Sequence, residues 1–263
     1  MNINDRNMKT MRLVILGLFV ACLTTACSVK EDRQECPCRL VMDLTSIDTS
    51  VVSRVEVLAV SSEGIVFSDS ISASDFGREY VREVPHKAMK VNVWGGKGTG
   101  TDLKIPYGCE SPYMYMHVFE PDTSGEEWCG KVLMKKSYCR LTVHLEGRGD
   151  MPYSLTFRGN VDGYELDGLP SGGEFACVAY PSDDAGAQVI LPRQTDSSLM
   201  LEVEDVEIPF TKIFAIGEYL AAAGYDWTAE NLEDATVVID YYLTGIKVTY
   251  KGWDKEYSYD IIL

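Results

Sequence analysis

Long apolar runs are missing from almost all of this chain. The longest, at positions 13–23, contains eleven residues, whereas a helix that crosses a bilayer of about 30 Å needs roughly 20 apolar residues. The run therefore cannot form a stable membrane span. It follows a basic stretch with Arg6, Lys9 and Arg12 and precedes small residues, which is the arrangement of a secretory signal peptide.

The residues before Cys27 indicate the kind of export signal. The string LTTAC ends at Cys27 and resembles a lipobox, so we predict removal of residues 1–26 and attachment of lipid, such as palmitate, to Cys27. Residues 27–37 would then form a polar tether. The alternatives are an ordinary signal peptide with a coincidental cysteine, or processing at Cys22. One acyl chain anchors a protein only marginally, but bacterial lipoproteins usually carry more than one.

Basic residues are scarce. The chain has 24 Lys and Arg against 40 Asp and Glu, for a net charge of −16. The leader contributes three basic and one acidic residue, so the remaining 237 residues carry about −18. Such a charge repels phosphate backbones, and no basic stripe is present, which excludes nucleic acids as partners.

Histidines and catalytic motifs are equally scarce. The three histidines, His86, His117 and His144, lie in or beside strand-like segments, and the chain lacks H-E-x-x-H, G-x-S-x-G and Walker A strings. WGGKGTG at 94–100 has the wrong Gly-Lys order for a phosphate loop, and NVDGYELDG at 160–168 lacks the alternating acidic residues of a calcium loop. We interpret both as turns, and we expect no enzyme activity, cofactor or small-molecule substrate. Glycoside hydrolysis by a pair of carboxylates stays an open alternative, because two such residues would come together only in the folded protein.

Six cysteines remain after Cys22 and Cys27. An even number in an exported protein suggests disulfides, but six cysteines allow 15 pairings and the sequence does not choose among them. The CPC string could form half of a zinc site, yet no second pair follows at ligand spacing, so we expect no metal. Some could instead be small buried side chains. The six are Cys36, Cys38, Cys109, Cys129, Cys139 and Cys177.

Period-2 alternation is the dominant pattern after the tether. Short segments rich in β-branched and aromatic residues, broken by Gly, Asp and Ser, predict a mostly β fold of antiparallel sandwiches. The predicted strands are 38–44, 55–60, 89–94, 113–119, 154–157, 175–180, 199–204, 237–243, 245–250 and 257–263. One helix is expected over roughly 211–223, ending at Gly224.

An internal echo suggests two domains. CRLVMDL at 38–44 and CRLTVHL at 139–145 share Cys-Arg-Leu and the same alternation. We therefore predict one sandwich over 38–134 and a second over 135–263, both of ordinary domain size.

Two other patterns suggest binding. Four tryptophans and fifteen tyrosines could line a glycan-binding cleft, although such residues more often fill cores and cross-strand pairs of β-sandwiches. The string Arg148-Gly149-Asp150 can bind integrins when displayed on a loop, but its glycine also suits an ordinary turn.

Several longer segments resemble the FimB-type fimbrial anchor family, the lipid-linked subunits of fimbrillin fimbriae. They are KEDRQECPCRLVMDL after the lipobox, KKSYCRLTVHLEG with YSLTFRGNVDGYELDGLPSGGEF in the middle, and NLEDATVVIDY with IKVTYKGWDKEY near the end. The resemblance covers most of the chain after Cys27. Its most specific parts are the CPC string and GNVDGYELDG.

The resemblance implies two tandem transthyretin-like β-sandwiches, with one short helix in the second, held at the outer membrane by the lipid on Cys27. It implies a structural, non-enzymatic anchor or assembly subunit at the base of a fimbrium, joined to fimbrial subunits by β-strand addition. A strand near 38–44 or 257–263 is the candidate partner surface. A tip or accessory role, or a lipid-anchored glycan-binding module at the cell surface, is the alternative.

Overall fold

The computed structural model describes residues 36–146, 153–181, 186–205, 211–240, 245–251 and 256–262. Within these ranges the chain is mostly β, as predicted, and each predicted segment contains a strand. The largest difference is at 154–157, where the strand continues to Tyr164. Residues 241–243 and 263, the ends of two predicted strands, lie outside the described residues. Their alternating apolar residues face two separate cores, which is why the segments form half-buried strands and not helices.

The first sandwich packs a three-stranded sheet, in the order β4-β1-β7, against a five-stranded sheet, in the order β3-β2-β5-β6-β8. A short 3-10 turn over Ala73–Asp75 follows β3. The strands are β1 Cys38–Asp43, β2 Arg54–Ser61, β3 Gly64–Ser72, β4 Tyr80–Val84, β5 Lys90–Gly95, β6 Tyr115–Phe119, β7 Glu127–Lys131 and β8 Lys135–Lys136.

The second sandwich packs a four-stranded sheet, β11-β10-β13-β14, against a five-stranded sheet, β12-β9-β15-β16-β17. One helix, α1, precedes β15. The elements are β9 Tyr138–Glu146, β10 Tyr153–Tyr164, β11 Pro170–Ala179, β12 Ala187–Pro192, β13 Met200–Asp205, β14 Thr211–Phe214, α1 Ile216–Ala222, β15 Ala235–Asp240, β16 Gly245–Lys251 and β17 Glu256–Ile262.

The two similar strings, CRLVMDL and CRLTVHL, form strands that occupy equivalent places in the two sandwiches. β1 pairs antiparallel with β4 and parallel with β7, and β9 pairs in the same directions with β12 and β15. The other sheets share the order β3-β2-β5-β6 and β11-β10-β13-β14. Most strand pairs are antiparallel, as predicted, and each sandwich contains one parallel pair, β1 with β7 and β9 with β15. Alternation identifies a strand without giving its direction, so the sequence did not distinguish these two pairs.

The predicted helix over 211–223 is only partly correct. Its first four residues form β14, which pairs with β13 through Leu201↔Phe214. The helix itself covers Ile216–Ala222 and buries Ile216 and Leu220. It ends before Gly224, whose φ of +87° suits the predicted stop.

Asp-x-Ser and Asp-x-Thr strings fix several turns, a feature that the sequence analysis missed. At Asp43, for example, one carboxylate oxygen accepts hydrogen bonds from the amide (2.9 Å) and hydroxyl (2.6 Å) of Thr45. These bonds favour the charged carboxylate and lower its pKa. Asp48, Asp122, Asp196 and Asp226 have lowered pKa values from the same kind of turn.

Where the sandwiches meet, each contributes one segment that packs on the other. The loop between β5 and β6 lies on the second sandwich, where Ile105 joins the core and its amide donates to the Asp162 carbonyl (2.7 Å). In return, the β10–β11 hairpin lies on the first sandwich. Its Tyr164 is buried with Trp94 and Met116, and its hydroxyl donates to the carbonyl of Ser137.

Cys38–Leu263 forms one compact unit. The boundary that we predicted between residues 134 and 135 stays a prediction, as do the leader over 1–26 and the tether. β8, at 135–136, lies at this boundary and still pairs with β6 of the first sandwich, through Tyr115↔Lys136.

Candidate functional site

β1 covers one of the two segments considered as a partner surface, and it lies in the centre of its sheet. It pairs with β4 on one side, through Cys38↔Val84, and with β7 on the other, through Leu40↔Trp128. A strand with neighbours on both sides has no free row of backbone groups to offer. The segment 38–44 is therefore not an edge strand, contrary to that alternative.

β17, the other candidate, lies at the edge of its sheet. It pairs with β16 along its whole length, from Lys251↔Glu256 to Gly245↔Ile262. In the part of the chain that the structure describes, no strand pairs with its outer edge. An edge strand of this kind presents unpaired N–H and C=O groups that can accept another strand.

The other side of the second sandwich is covered by the loop between β5 and β6. Its Gly108 amide donates to the Ala176 carbonyl on β11 (2.8 Å), and its Ser111 amide donates to the Ile190 carbonyl on β12 (3.0 Å). These contacts cover the edges of β11 and β12. The outer edges of β14 and β17, on the opposite side, have no paired strand among the described residues. We call these two edges the open side.

The open side rests on a well-packed support. Ala235, Val237 and Ile239 of β15 are buried in the second core, and β15 pairs with β9 and β16. On the other sheet, Phe214 of β14 is buried, whereas Ile213 is 55% exposed. The backbone of the open side is thus held in the extended form that a partner strand needs, which lowers the entropic cost of binding.

The six cysteines remain free thiols in the structure. Cys38, Cys139 and Cys177 are buried core residues, whereas Cys36, Cys109 and Cys129 are exposed. Burial raises the pKa of Cys139 and of Cys177 to about 12, so both stay protonated and unreactive at neutral pH. Disulfide formation in the exported protein stays a prediction.

The histidines serve as structural side chains. The Nδ1 atom of His117 accepts a hydrogen bond from the Leu133 amide (3.2 Å), and burial lowers the pKa of its ring. The His86 ring contacts the carbonyl of Thr123. His144 is half-buried on β9. No group of three or more His, Cys, Asp or Glu that could hold a metal occurs among the described residues.

The described tryptophans do not line a cleft. Trp94 and Trp227 are buried, and Trp128 stacks on Phe119 with ring centroids 4.9 Å apart. They fill cores and cross-sheet contacts, which is the alternative that the sequence analysis favoured. Trp253 lies outside the described residues.

Each glycine-rich string spans the end of a strand and the turn after it, WGGKGTG at the end of β5 and NVDGYELDG at the end of β10. Gly96 and Gly98 have positive φ in the loop after β5, and Gly163 and Gly168 have positive φ in the β10–β11 hairpin. NVDGYELDG thus belongs to the hairpin that packs on the first sandwich through Tyr164.

Three predicted features lie outside the described residues. They are the lipid-attachment residue Cys27, the signal segment and the Arg148-Gly149-Asp150 string. No helix in the described part of the chain is long and apolar enough to cross a membrane.

Comparison with known proteins identifies the fold. No family model and no curated protein matches the chain. Among solved structures, the fimbrial anchor protein Mfa2 from Porphyromonas gingivalis aligns with a TM-score of 0.55 at 12% identity, over 83% of this chain and 98% of that one. The resemblance found in the sequence is thus matched by a fimbrial anchor among the structural neighbours.

Two further structures share the fold. A candidate polysaccharide-binding protein from Bacteroides thetaiotaomicron aligns with a TM-score of 0.62 at 12% identity, over 85% of this chain and 98% of that one. A candidate adhesin from Bacteroides ovatus aligns with a TM-score of 0.54 at 13% identity, over 85% and 96%. This chain therefore shares its tandem β-sandwich fold with these two proteins and with Mfa2.

Proposed function

We propose that this protein is a non-enzymatic outer-membrane lipoprotein that anchors or helps to assemble a fimbrium. The observation that carries the proposal is the open side of the second sandwich, in a fold shared with the fimbrial anchor Mfa2. The sequence resemblance to the anchor family supports the same function.

The predicted lipid on Cys27 would hold the protein at the base of the fimbrium. Ten residues, 28–37, separate Cys27 from the first strand. A fully extended chain spans at most about 3.5 Å per residue, so the tether reaches roughly 35 Å from the membrane. The first fully buried residue, Cys38, begins β1 directly after it. The folded part would therefore stand close to the membrane surface.

A fimbrial subunit would bind by adding a strand to the open side. Backbone hydrogen bonds to β17 or β14 would supply affinity without requiring particular side chains. The opposite side of the second sandwich is covered by the loop between β5 and β6. Because one side is covered and the other is open, the assembly would grow from the open side.

The replacement Cys27→Ala tests the anchoring function. Cells that carry it should release fimbriae into the culture medium, because the protein would lose its acyl chains, while the total amount of fimbrial subunit stays constant. Cell-bound and medium fractions are compared by immunoblotting against the fimbrial subunit. Cys22→Ala is the matched control and should leave fimbriae attached. Normal attachment in the Cys27→Ala cells, with the protein absent from the membrane, would contradict the proposal.

A further inference from the structure

Three exposed apolar side chains lie on the outer face of the sheet that contains β10 and β11, or beside its edge. Tyr107 is 62% exposed, Val178 is 45% exposed and Tyr180 is 71% exposed. Val178 and Tyr180 point outward because Cys177 and Ala179, which alternate with them, are buried in the core. An exposed cluster of large apolar groups usually marks a binding surface. We call these three side chains the tyrosine patch.

Tyr107 reaches this face from the first half of the chain. It belongs to the loop between β5 and β6, and the next residue, Gly108, bridges to Cys177 in parallel. Tyr107 therefore lies beside Ala176, and the Gly108 amide donates to the Ala176 carbonyl (2.8 Å). The ring is thus fixed to the edge of the second sandwich by backbone contacts.

Polar side chains hold the ring of Tyr107 in position. Arg158 on β10 donates from Nη1 to the Tyr107 hydroxyl (2.9 Å) and from Nε to a carboxylate oxygen of Glu202 on β13 (2.9 Å). Both contacts raise the pKa of Arg158, so the guanidinium stays charged. Ala176, which lies between Tyr107 and Arg158 in the register, is buried. The ring of Tyr107 is therefore held in place before a ligand binds, which lowers the entropic cost of binding.

The size of the tyrosine patch favours a narrow ligand. Its three side chains expose on the order of 350 Å², less than half of the ~800 Å² that each partner of a standard protein complex buries. β11 ends at Ala179, directly before Tyr180. An extended chain from Ala176 to Tyr180 spans about 13 Å, which is long enough for more than one sugar ring. A protein partner would need a larger apolar surface than this face offers.

The chemistry of the patch favours a neutral ligand. A sugar ring has an apolar C–H face that packs on an aromatic ring, and hydroxyl groups at its rim that exchange hydrogen bonds with Arg158 and Glu202. The net charge of −16 disfavours an anionic polymer. We propose that the tyrosine patch binds a neutral polysaccharide chain, with sugar rings packed on Tyr107 and Tyr180. This proposal does not depend on the anchor function.

Affinity electrophoresis of the full-length protein in mild non-ionic detergent tests this proposal. Native gels contain dextran, laminarin, xylan or galactomannan, four neutral polysaccharides of different linkage. We expect at least one of them to retard the unmodified protein. Tyr107→Ala and Tyr180→Ala should each weaken that retardation at least tenfold, as the apparent Kd. Tyr107→Phe, which keeps the ring, should retain most of the binding.

The matched control is Ile65→Ala, which removes a side chain of equal exposure (62%) from β3 of the first sandwich and should leave retardation unchanged. Circular dichroism verifies that each variant is folded. No retardation in any of the four gels would overturn the proposal, and so would retardation that survives both tyrosine-to-alanine replacements. Neither outcome affects the fimbrial test with Cys27→Ala, so the two proposals fail independently.

Discussion

At the scale of single residues, glycines and tyrosines decide how closely the two sandwiches approach. Gly168 has a φ of +81°, and a Cβ atom there would lie 2.3 Å from Cγ2 of Val118 and 3.1 Å from Sδ of Met116. Both neighbours belong to the first sandwich, so the glycine allows the β10–β11 hairpin to lie flat against it. Only glycine combines this backbone conformation with this close contact.

Gly168→Ala should therefore destabilise the protein. The left-handed conformation costs roughly 1–2 kcal/mol and overpacking costs roughly 1–3 kcal/mol, so the free energy of unfolding should fall by about 2–5 kcal/mol in urea titrations. Gly172→Ala is the matched control, because a Cβ atom at Gly172 has no neighbour within 4 Å. Equal stability of the two variants would disprove the close approach.

Thiol labelling tests the burial of the cysteines. With a reductant present, a maleimide at neutral pH should label three of the six described cysteines in the folded protein, Cys36, Cys109 and Cys129. The other three should react only after unfolding, because burial blocks access and raises the pKa values of the Cys139 and Cys177 thiols to about 12. Mass spectrometry counts the labels. Rapid labelling of Cys139 in the folded protein would contradict this packing, and fewer labels without reductant would reveal disulfides.

At the scale of elements, the position of a strand in its sheet determines what it can bind. β1 is central and β17 is an edge strand, although both segments have similar alternating sequences. Backbone N–H groups of successive residues in a strand point to opposite sides. Of two neighbouring residues in β17, one therefore donates towards β16 and the other towards the open side.

Proline scanning of β17 uses this alternation. Ser258→Pro and Tyr259→Pro each remove one backbone N–H, from opposite sides of the strand, and proline is tolerated only where the N–H faces solvent. One variant should lower the free energy of unfolding by about 3 kcal/mol or more. The other should keep stability but reduce copurification of fimbrial subunits severalfold. Undiminished copurification with the stable variant would rule out strand addition at β17.

At the scale of the whole molecule, the loop between β5 and β6 and the β10–β11 hairpin join the two sandwiches. Tyr164 of the second is buried with Trp94 of the first, and Ile105 of the first is buried in the core of the second. Each sandwich would expose apolar side chains if the other unfolded. Such an interface would suit the proposed anchor function, in which the protein transmits tension between the membrane and a polymer.

The two sandwiches should consequently unfold together. Variants that retain only Trp94 or only Trp227, with the other tryptophans replaced by Phe, report on the first and second sandwich respectively. Each variant is titrated with urea and followed both by tryptophan fluorescence and by far-UV circular dichroism. In each variant the two signals should have the same midpoint. Midpoints that differ between fluorescence and circular dichroism would indicate two independent units.

Much of the fold could be predicted because burial on one face leaves a local signature. The alternation in CRLVMDL and CRLTVHL gave two equivalent strands, and Gly224 gave the end of the helix. The helix prediction over 211–223 failed at its start because Ile213 fits the helical spacing of Ile216 and Leu220. Pairing of residues 211–214 with β13 overrides that local preference.

The sequence by itself determined the predicted export signal, the strand-forming segments and the acidic charge, because these depend on residue type and local spacing. Only the tertiary structure decided that β1 is central, that β17 is at an edge and that Tyr107 meets Arg158 across 51 residues of chain. Hydrogen bonds between strands join backbone groups that every residue carries. Side chains therefore set which face of a strand is buried, while its neighbours depend on how the whole chain packs.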